Sequence, residues 1–180
     1  MGVRPLNNKA VFLDRDGVIN LAVVRNRKPY PPKTVQDLEI LPDVLEALNL
    51  LKESGFLLIV VTNQPDVGRG IQKKETVEEM HLFLKNILPL DDIFVCWHGQ
   101  DGECDCRKPL PGMLLQASEK YGIDFGKSFM IGDRWRDVNV GYTAGCKTIF
   151  IDYQYDEPLH SQPDYITISI KDAAEWVLQN

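Results

Sequence analysis

Ala10-Val-Phe-Leu-Asp-Arg-Asp-Gly-Val-Ile-Asn20 is the stretch from which the fold is read. Four apolar residues, Ala10 to Leu13, run into a charged turn with a glycine, the pattern of a short buried strand that stops abruptly. The first acidic side chains past its end are Asp14 and Asp16. In an open parallel sheet, ligands bind beyond the carboxyl ends of the strands, so this pair stands where a substrate would lie. A carboxylate beside a hard cation such as Mg²⁺ stays ionised and can attack, while a neighbour turned away from the ion can hold a proton. Cleaving a phosphate ester through an aspartyl phosphate requires that division. Asp14 attacks phosphorus; Asp16 protonates the leaving oxygen and then takes a proton from water. A solvated acidic turn after a strand is equally common, so the rest of the chain has to supply the other parts of such a site.

It supplies them at strand ends. Phe56 to Val61 reads as a second buried strand and stops at Thr62-Asn63-Gln64-Pro65. A phosphoryl group in transfer needs donors on its equatorial oxygens, and Thr62 with nearby backbone N–H groups would provide them. Ser128 to Ile131 is another strand, ending in Gly132-Asp133-Arg134; Asp133 is a third carboxylate able to complete a Mg²⁺ shell with Asp14 and the backbone carbonyl of Asp16. For Asp137 two roles stand side by side, capping the next helix or holding a metal-bound water.

Between these strands, Ile93 to Val95 leads into Cys96-Trp-His98 and then Cys104-Asp-Cys106. Three sulfurs and one imidazole in one loop match a closed tetrahedral zinc site, with no open position for catalysis, so the zinc is expected to be structural. Arg107-Lys108-Pro109 follows at once. An ammonium there would offset repulsion between Asp14 and an anionic ester, and a guanidinium would fork onto a substrate oxygen.

The other segments are scaffold. Residues 1–9 read as a loose lead-in. Leu21 to Gln36 holds Pro29, Pro31 and Pro32, which argue against any regular element, so a long basic flap is expected, with Arg25, Arg27 and Tyr30 as candidates to meet an anion. Helices are expected from Pro42 to about Gly55, from Lys73 to Leu88, from Pro109 to Tyr121, and from Asp137 to Gly145. His81 reads as a surface or packing histidine. Cys146 to Ile151 is a fifth strand with Cys146 a small core residue, and an edge strand, 165–170, precedes a closing helix, 171–178.

With a net charge of −6 and no basic stripe, the chain lacks a nucleic-acid footprint, and no apolar run is long enough to span a bilayer. A cytoplasmic monomer acting on a small molecule is the expectation, with 180 residues forming one domain.

Taken in order, Asp14-x-Asp16-Gly17, Thr62, Lys108 and Gly132-Asp133 resemble the four motifs of the haloacid dehalogenase superfamily of phosphatases. The Cys/His loop followed by Cys-Arg-Lys-Pro is similar to its cap-less zinc-containing branch. The resemblance implies an α/β fold: a Rossmann-like parallel sheet with the first strand central, helices on both faces, no large cap and a zinc loop at 96–106. It implies Asp14 as nucleophile, Asp16 as acid/base, and Thr62 and Lys108 as phosphate-binding groups. Mg²⁺ would sit on Asp14, Asp16 and Asp133, and Zn²⁺ on Cys96, His98, Cys104 and Cys106. Arg107, Asn63 and Arg134 are the implied substrate contacts, and Arg25 is added to them from the flap by its position and charge. The implied substrate is a sugar phosphate, a heptose 1,7-bisphosphate first. Histidinol phosphate is the alternative, favoured by the short gap between His98 and Cys104; a non-catalytic zinc-stabilised phosphate-binding module is the third reading.

Overall fold

A computed structural model describes residues 6–99 and 102–180. Among the described residues, eight strands and six α-helices follow in chain order: β1 (Ala10–Leu13), β2 (Val23–Arg25), β3 (Lys28–Tyr30), α1 (Val44–Glu53), β4 (Leu57–Asn63), α2 (Pro65–Gly68), α3 (Lys74–Ile87), β5 (Asp92–Cys96), α4 (Gly112–Tyr121), β6 (Phe129–Gly132), α5 (Trp135–Ala144), β7 (Lys147–Ile151), β8 (Tyr165–Thr167) and α6 (Ile170–Gln179). Six strands form one sheet in the order β5-β4-β1-β6-β7-β8, every neighbouring pair parallel. This is the expected α/β architecture, with the first strand inside the sheet.

The strand sequences explain why both faces are covered. Along β1, Val11 and Leu13 point into one core with residues of α1, α3 and α6, while Ala10 and Phe12 point into a second with residues of α4 and α5. All four are fully buried, as a continuous apolar run in a two-sided parallel sheet requires. The chain leaves β1 for β4 on one side and returns to β6 on the other, so the crevice for a ligand opens at the carboxyl end of β1.

Three expectations are corrected. Residues 21–36 are not a structureless flap: β2 and β3 form a two-stranded antiparallel ribbon that includes Pro29. The ribbon tolerates it because ladder bonds alternate, and Pro29, opposite Val24 and one pair in from the turn, falls where no N–H is needed. The turn is Asn26-Arg27, both at positive φ (50° and 58°). Second, the first helix expected after β4 begins only at Lys73, whereas Pro65 already starts a short one, α2; its fixed φ suits a first helical position. Third, the lead-in is tied down: the N–H groups of Asn7 and Asn8 both donate to the Gly122 carbonyl, and Asp124 N–H donates to the Asn8 carbonyl. The remainder of that lead-in, 1–5, and Asp101 in the cysteine loop lie outside the described residues. Among the described residues no helix is long and apolar enough to cross a membrane.

Candidate active site

Strand ends deliver the site. Asp14 follows β1, its N–H donating to the Ile131 carbonyl of β6 (3.0 Å). Asp133 follows β6, and Asp137 lies in the first turn of α5. Carboxylate oxygens of Asp14, Asp133 and Asp137 lie within 4.8 Å of one another. Two glycines make the convergence possible. A Cβ on Gly17, which holds φ +90°, would stand 2.0 Å from Asp133 Oδ2, and one on Gly132 would stand 2.0 Å from Asp137 Cβ. In these positions any side chain would push a carboxylate out of the cluster.

Lys108 is buried among them, its Nζ 2.9 Å from Asp14 Oδ1 and 2.6 Å from Asp137 Oδ1. Burial pulls its ammonium down, but Asp137 and Asp14 outweigh that and hold it above its ordinary value. Asn63 clamps its backbone, donating from Nδ2 to the Lys108 carbonyl (3.1 Å) and accepting the Lys108 N–H at Oδ1 (3.0 Å). Of the roles raised for Asp137 the cap is the one seen, one oxygen accepting the Arg134 N–H at the start of α5 (3.0 Å), while the other accepts from Lys108 Nζ, a partner that neither role named.

The three acids are crowded. Burial raises the Asp14 carboxyl from 3.8 to about 6, with Asp137 and Asp16 adding to the rise and Lys108 opposing it. Burial, then Asp14 and Asp137, hold Asp133 well above the usual carboxylate range. Neither oxygen of Asp133 accepts a hydrogen bond of normal geometry, although both are buried. Buried carboxylate oxygens facing Asp14 and Asp137, eased only by the Arg134 charge and the Tyr155 hydroxyl, fit a divalent cation ligated by Asp14 and Asp133.

Asp16 stands apart from this cluster. Its carboxylate accepts from Arg15 Nε (3.2 Å) and Nη2 (3.0 Å to each oxygen), from Asn20 Nδ2 (3.0 Å) and from Gln64 Nε2 (3.1 Å). A side chain held this way is free of the metal cluster, as an acid/base requires, and only its backbone is left for the Mg²⁺ shell proposed from the sequence. Thr62 is buried, and its Oγ accepts from the same Gln64 amide (2.9 Å). Gln64, which links the Asp16 carboxylate to the Thr62 hydroxyl, is a residue the sequence reading passes over; its place in Thr-Asn-Gln at a strand end is the available signal.

A cavity of about 350 Å³ opens over these groups, lined by Asp14, Asp16, Asn63, Lys108 and Asp133 and ringed by basic side chains. Arg107 and Arg134 line it, Arg107 donating to the His98 carbonyl (3.2 Å) and Arg134 paired with Glu157. Arg25 does not: it is exposed on β2 beside the Tyr30 ring, whereas Arg27 and Lys28 reach the cavity. The tight turn at Asn26-Arg27 carries the chain from β2 to β3, and it is the side from Arg27 onward that lines the cavity, leaving Arg25 off it.

Cys96, His98, Cys104 and Cys106 offer four ligand atoms within 4.8 Å of one another, in a loop that starts at the end of β5. Cys96 Sγ is 3.8 Å from Cys104 Sγ and 3.6 Å from His98 Nδ1, and Cys106 Sγ is 3.3 Å from the same nitrogen. Those separations match the edges of a tetrahedron with metal–sulfur bonds of about 2.3 Å. All four cysteines, Cys146 included, are free thiols, and burial pushes the Cys146 thiol up to about 12.

Residues 105–173 match the model of the HAD-hydrolase-like family. The chain is 33% identical over 177 positions to the D-glycero-beta-D-manno-heptose-1,7-bisphosphate 7-phosphatase of Helicobacter pylori strain J99, covering 94% of this chain and 97% of that one. It is 35% identical over 183 positions to the Escherichia coli K12 protein of that name, covering 95% and 88%. A solved structure of a D,D-heptose 1,7-bisphosphate phosphatase from B. bronchiseptica, complexed with magnesium and phosphate, superposes with a TM-score of 0.78 at 29% identity over 95% of this chain and 98% of that one. Through strand-end carboxylates, a buried lysine and a cysteine–histidine loop, in a sequence shared over nearly its full length with these relatives, this chain belongs to the HAD-like hydrolases, in the family of the D-glycero-D-manno-heptose-1,7-bisphosphate 7-phosphatases.

Proposed function

We propose that this protein, read as one phosphatase domain, hydrolyses D-glycero-D-manno-heptose 1,7-bisphosphate at one phosphate, the 7-phosphate by analogy with its relatives, using Mg²⁺ at the acidic cluster. The observation that carries the reading is the buried meeting of Asp14, Asp133 and Lys108 with both Asp133 oxygens unpaired. A cation held by Asp14, Asp133 and the Asp16 backbone would supply positive charge to the phosphate and keep Asp14 ionised. Asp14 attacks phosphorus, and Lys108 and Thr62 hold the phosphoryl oxygens. Asp16 delivers a proton to the departing sugar oxygen, then accepts one from the water that cleaves the aspartyl phosphate. Zn²⁺ on the cysteine–histidine loop would keep Arg107 and Lys108 in place.

The charge at the cavity mouth favours a bisphosphate. At the mouth Arg69 is paired with Asp66 and Arg134 with Glu157, while Arg27, Lys28, Arg107 and Arg136 line it without an ion pair among the described residues, set against one further acid, Asp156. A second phosphate matches that excess; the amine of histidinol phosphate does not. Assay of both substrates side by side tests this: the heptose bisphosphate is expected to show the higher kcat/KM, and Asp14→Asn to lower turnover about a thousandfold or more with the melting temperature preserved. Faster histidinol phosphate hydrolysis would reverse the substrate assignment. Release of no phosphate from any ester with Mg²⁺ present would favour the non-catalytic binding module.

A further inference from the structure

Arg15 separates the two acids in sequence, yet its side chain avoids the cavity that they share. It is fully buried, with 0% of its surface exposed. Two of its nitrogens, Nε and Nη2, fork onto the Asp16 carboxylate at 3.0–3.2 Å. The third, Nη1, points the other way, 3.1 Å from His81 Nε2 and 3.9 Å from the Met80 sulfur, both on α3. His81 is 7% exposed, and burial together with Arg15 lowers its ring to about 3. The ring is thus neutral near pH 7, and its Nε2, facing a group that can only donate, must be the accepting nitrogen. Its centroid lies 6.2 Å from that of Trp97, the residue between the metal-loop ligands Cys96 and His98.

We propose that His81 is a positioning residue for the acid/base step: by accepting from Arg15 Nη1 it fixes the guanidinium, whose other edge fixes the rotamer of Asp16. The reasoning is one of satisfaction in a closed space. A guanidinium with no exposed surface needs partners on both edges, and with the imidazole removed Nη1 retains only a thioether, a weak acceptor. The fork would then turn to regain a partner and carry the Asp16 carboxylate with it. Asp16 loses its proton to the ester oxygen as the P–O bond breaks, and recovers it from water when the aspartyl phosphate is hydrolysed. A misplaced carboxylate slows the first of these transfers in proportion to how badly the leaving group needs the proton.

This inference rests on the phosphatase reading, and its test is built on leaving groups. A sugar alkoxide needs protonation; p-nitrophenolate does not. His81→Leu, which removes the acceptor, is expected to lower kcat/KM for the heptose bisphosphate about tenfold or more, and for p-nitrophenyl phosphate by less than about threefold. His81→Gln, whose amide oxygen can accept from Nη1, is expected to recover most of the loss. Should His81→Leu fail to fold, His81→Phe, which keeps a flat ring without an acceptor, carries the same comparison. Equal losses on the two substrates would show a merely structural role and overturn the proposal, as would no loss on either. A wild-type protein that cleaves neither ester would instead overturn the phosphatase reading on which the proposal stands.

Discussion

At position 17 a single methyl group separates a working cluster from a broken one. Gly17 combines φ +90° with a backbone so close to Asp133 that a Cβ would lie 2.0 Å from Oδ2. Gly17→Ala is expected to cost about 2 kcal/mol or more of stability, from the left-handed backbone and the contact together, and to lower turnover at least tenfold; chemical denaturation with a parallel activity assay measures both. An alanine variant as stable and active as the wild type would contradict the close approach. The Asp-x-Asp-Gly motif announced a turn glycine, but its opposite wall lies more than a hundred residues away, and residue spacing cannot show that. Arg15 and His81 illustrate the same limit. A histidine on a helix reads as packing until the fold sets a buried guanidinium 3.1 Å from it.

Among the elements, the β2–β3 ribbon and the metal loop reach the cavity mouth from different parts of the chain. The ribbon is latched to the segment after β7: Arg27 donates from Nε and Nη2 to the Gln154 carbonyl (3.2 and 2.9 Å), and Asp156 N–H donates to the Arg27 carbonyl (3.1 Å). Arg27→Ala is expected to raise KM for a bisphosphate about tenfold with kcat little changed, since a charged hydrogen bond to substrate contributes binding rather than chemistry. Arg25→Ala, on the exposed ribbon, should leave both constants near wild type. Steady-state kinetics on the two variants would expose a reversed assignment. The metal loop makes a different demand. With zinc held there as proposed, Cys106→Ser is expected to release it, measured as metal per chain, and to lower turnover about tenfold or more by loosening Arg107 and Lys108. If the serine variant lost its zinc but kept its turnover, the loop would have no part in placing Lys108.

For the molecule as a whole, one strand order gathers three acids from two distant segments, and their mutual repulsion leaves a signature in stability. Without metal, the folded state holds a proton on Asp14 more tightly than the unfolded chain does, because its carboxyl is raised from 3.8 to about 6. Its contribution to stability is therefore present at low pH and lost as pH rises through about 6. Mg²⁺ competes with that proton, so its stabilising effect runs the opposite way. At a hundredfold excess over Kd it should add about 2.7 kcal/mol, or about 5–10 °C in Tm, at pH 7.5. The increment should shrink at pH 5 and vanish in Asp133→Asn; calorimetry with and without Mg²⁺ at the two pH values reads it directly, and an increment independent of pH would refute binding at these carboxylates. The sequence by itself determined the six strands of the main sheet, most of the helices, the three strand-end acids and the cysteine–histidine quartet, because each is written in local periodicity or close spacing. Only the tertiary structure decided that Asp137 holds Lys108, that Arg27 rather than Arg25 faces the cavity, and that Asp16 is gripped by a buried arginine whose far edge meets a buried histidine. Those depend on how distant segments meet, and the sign and distance of a charge across a fold are set by packing that no local pattern encodes.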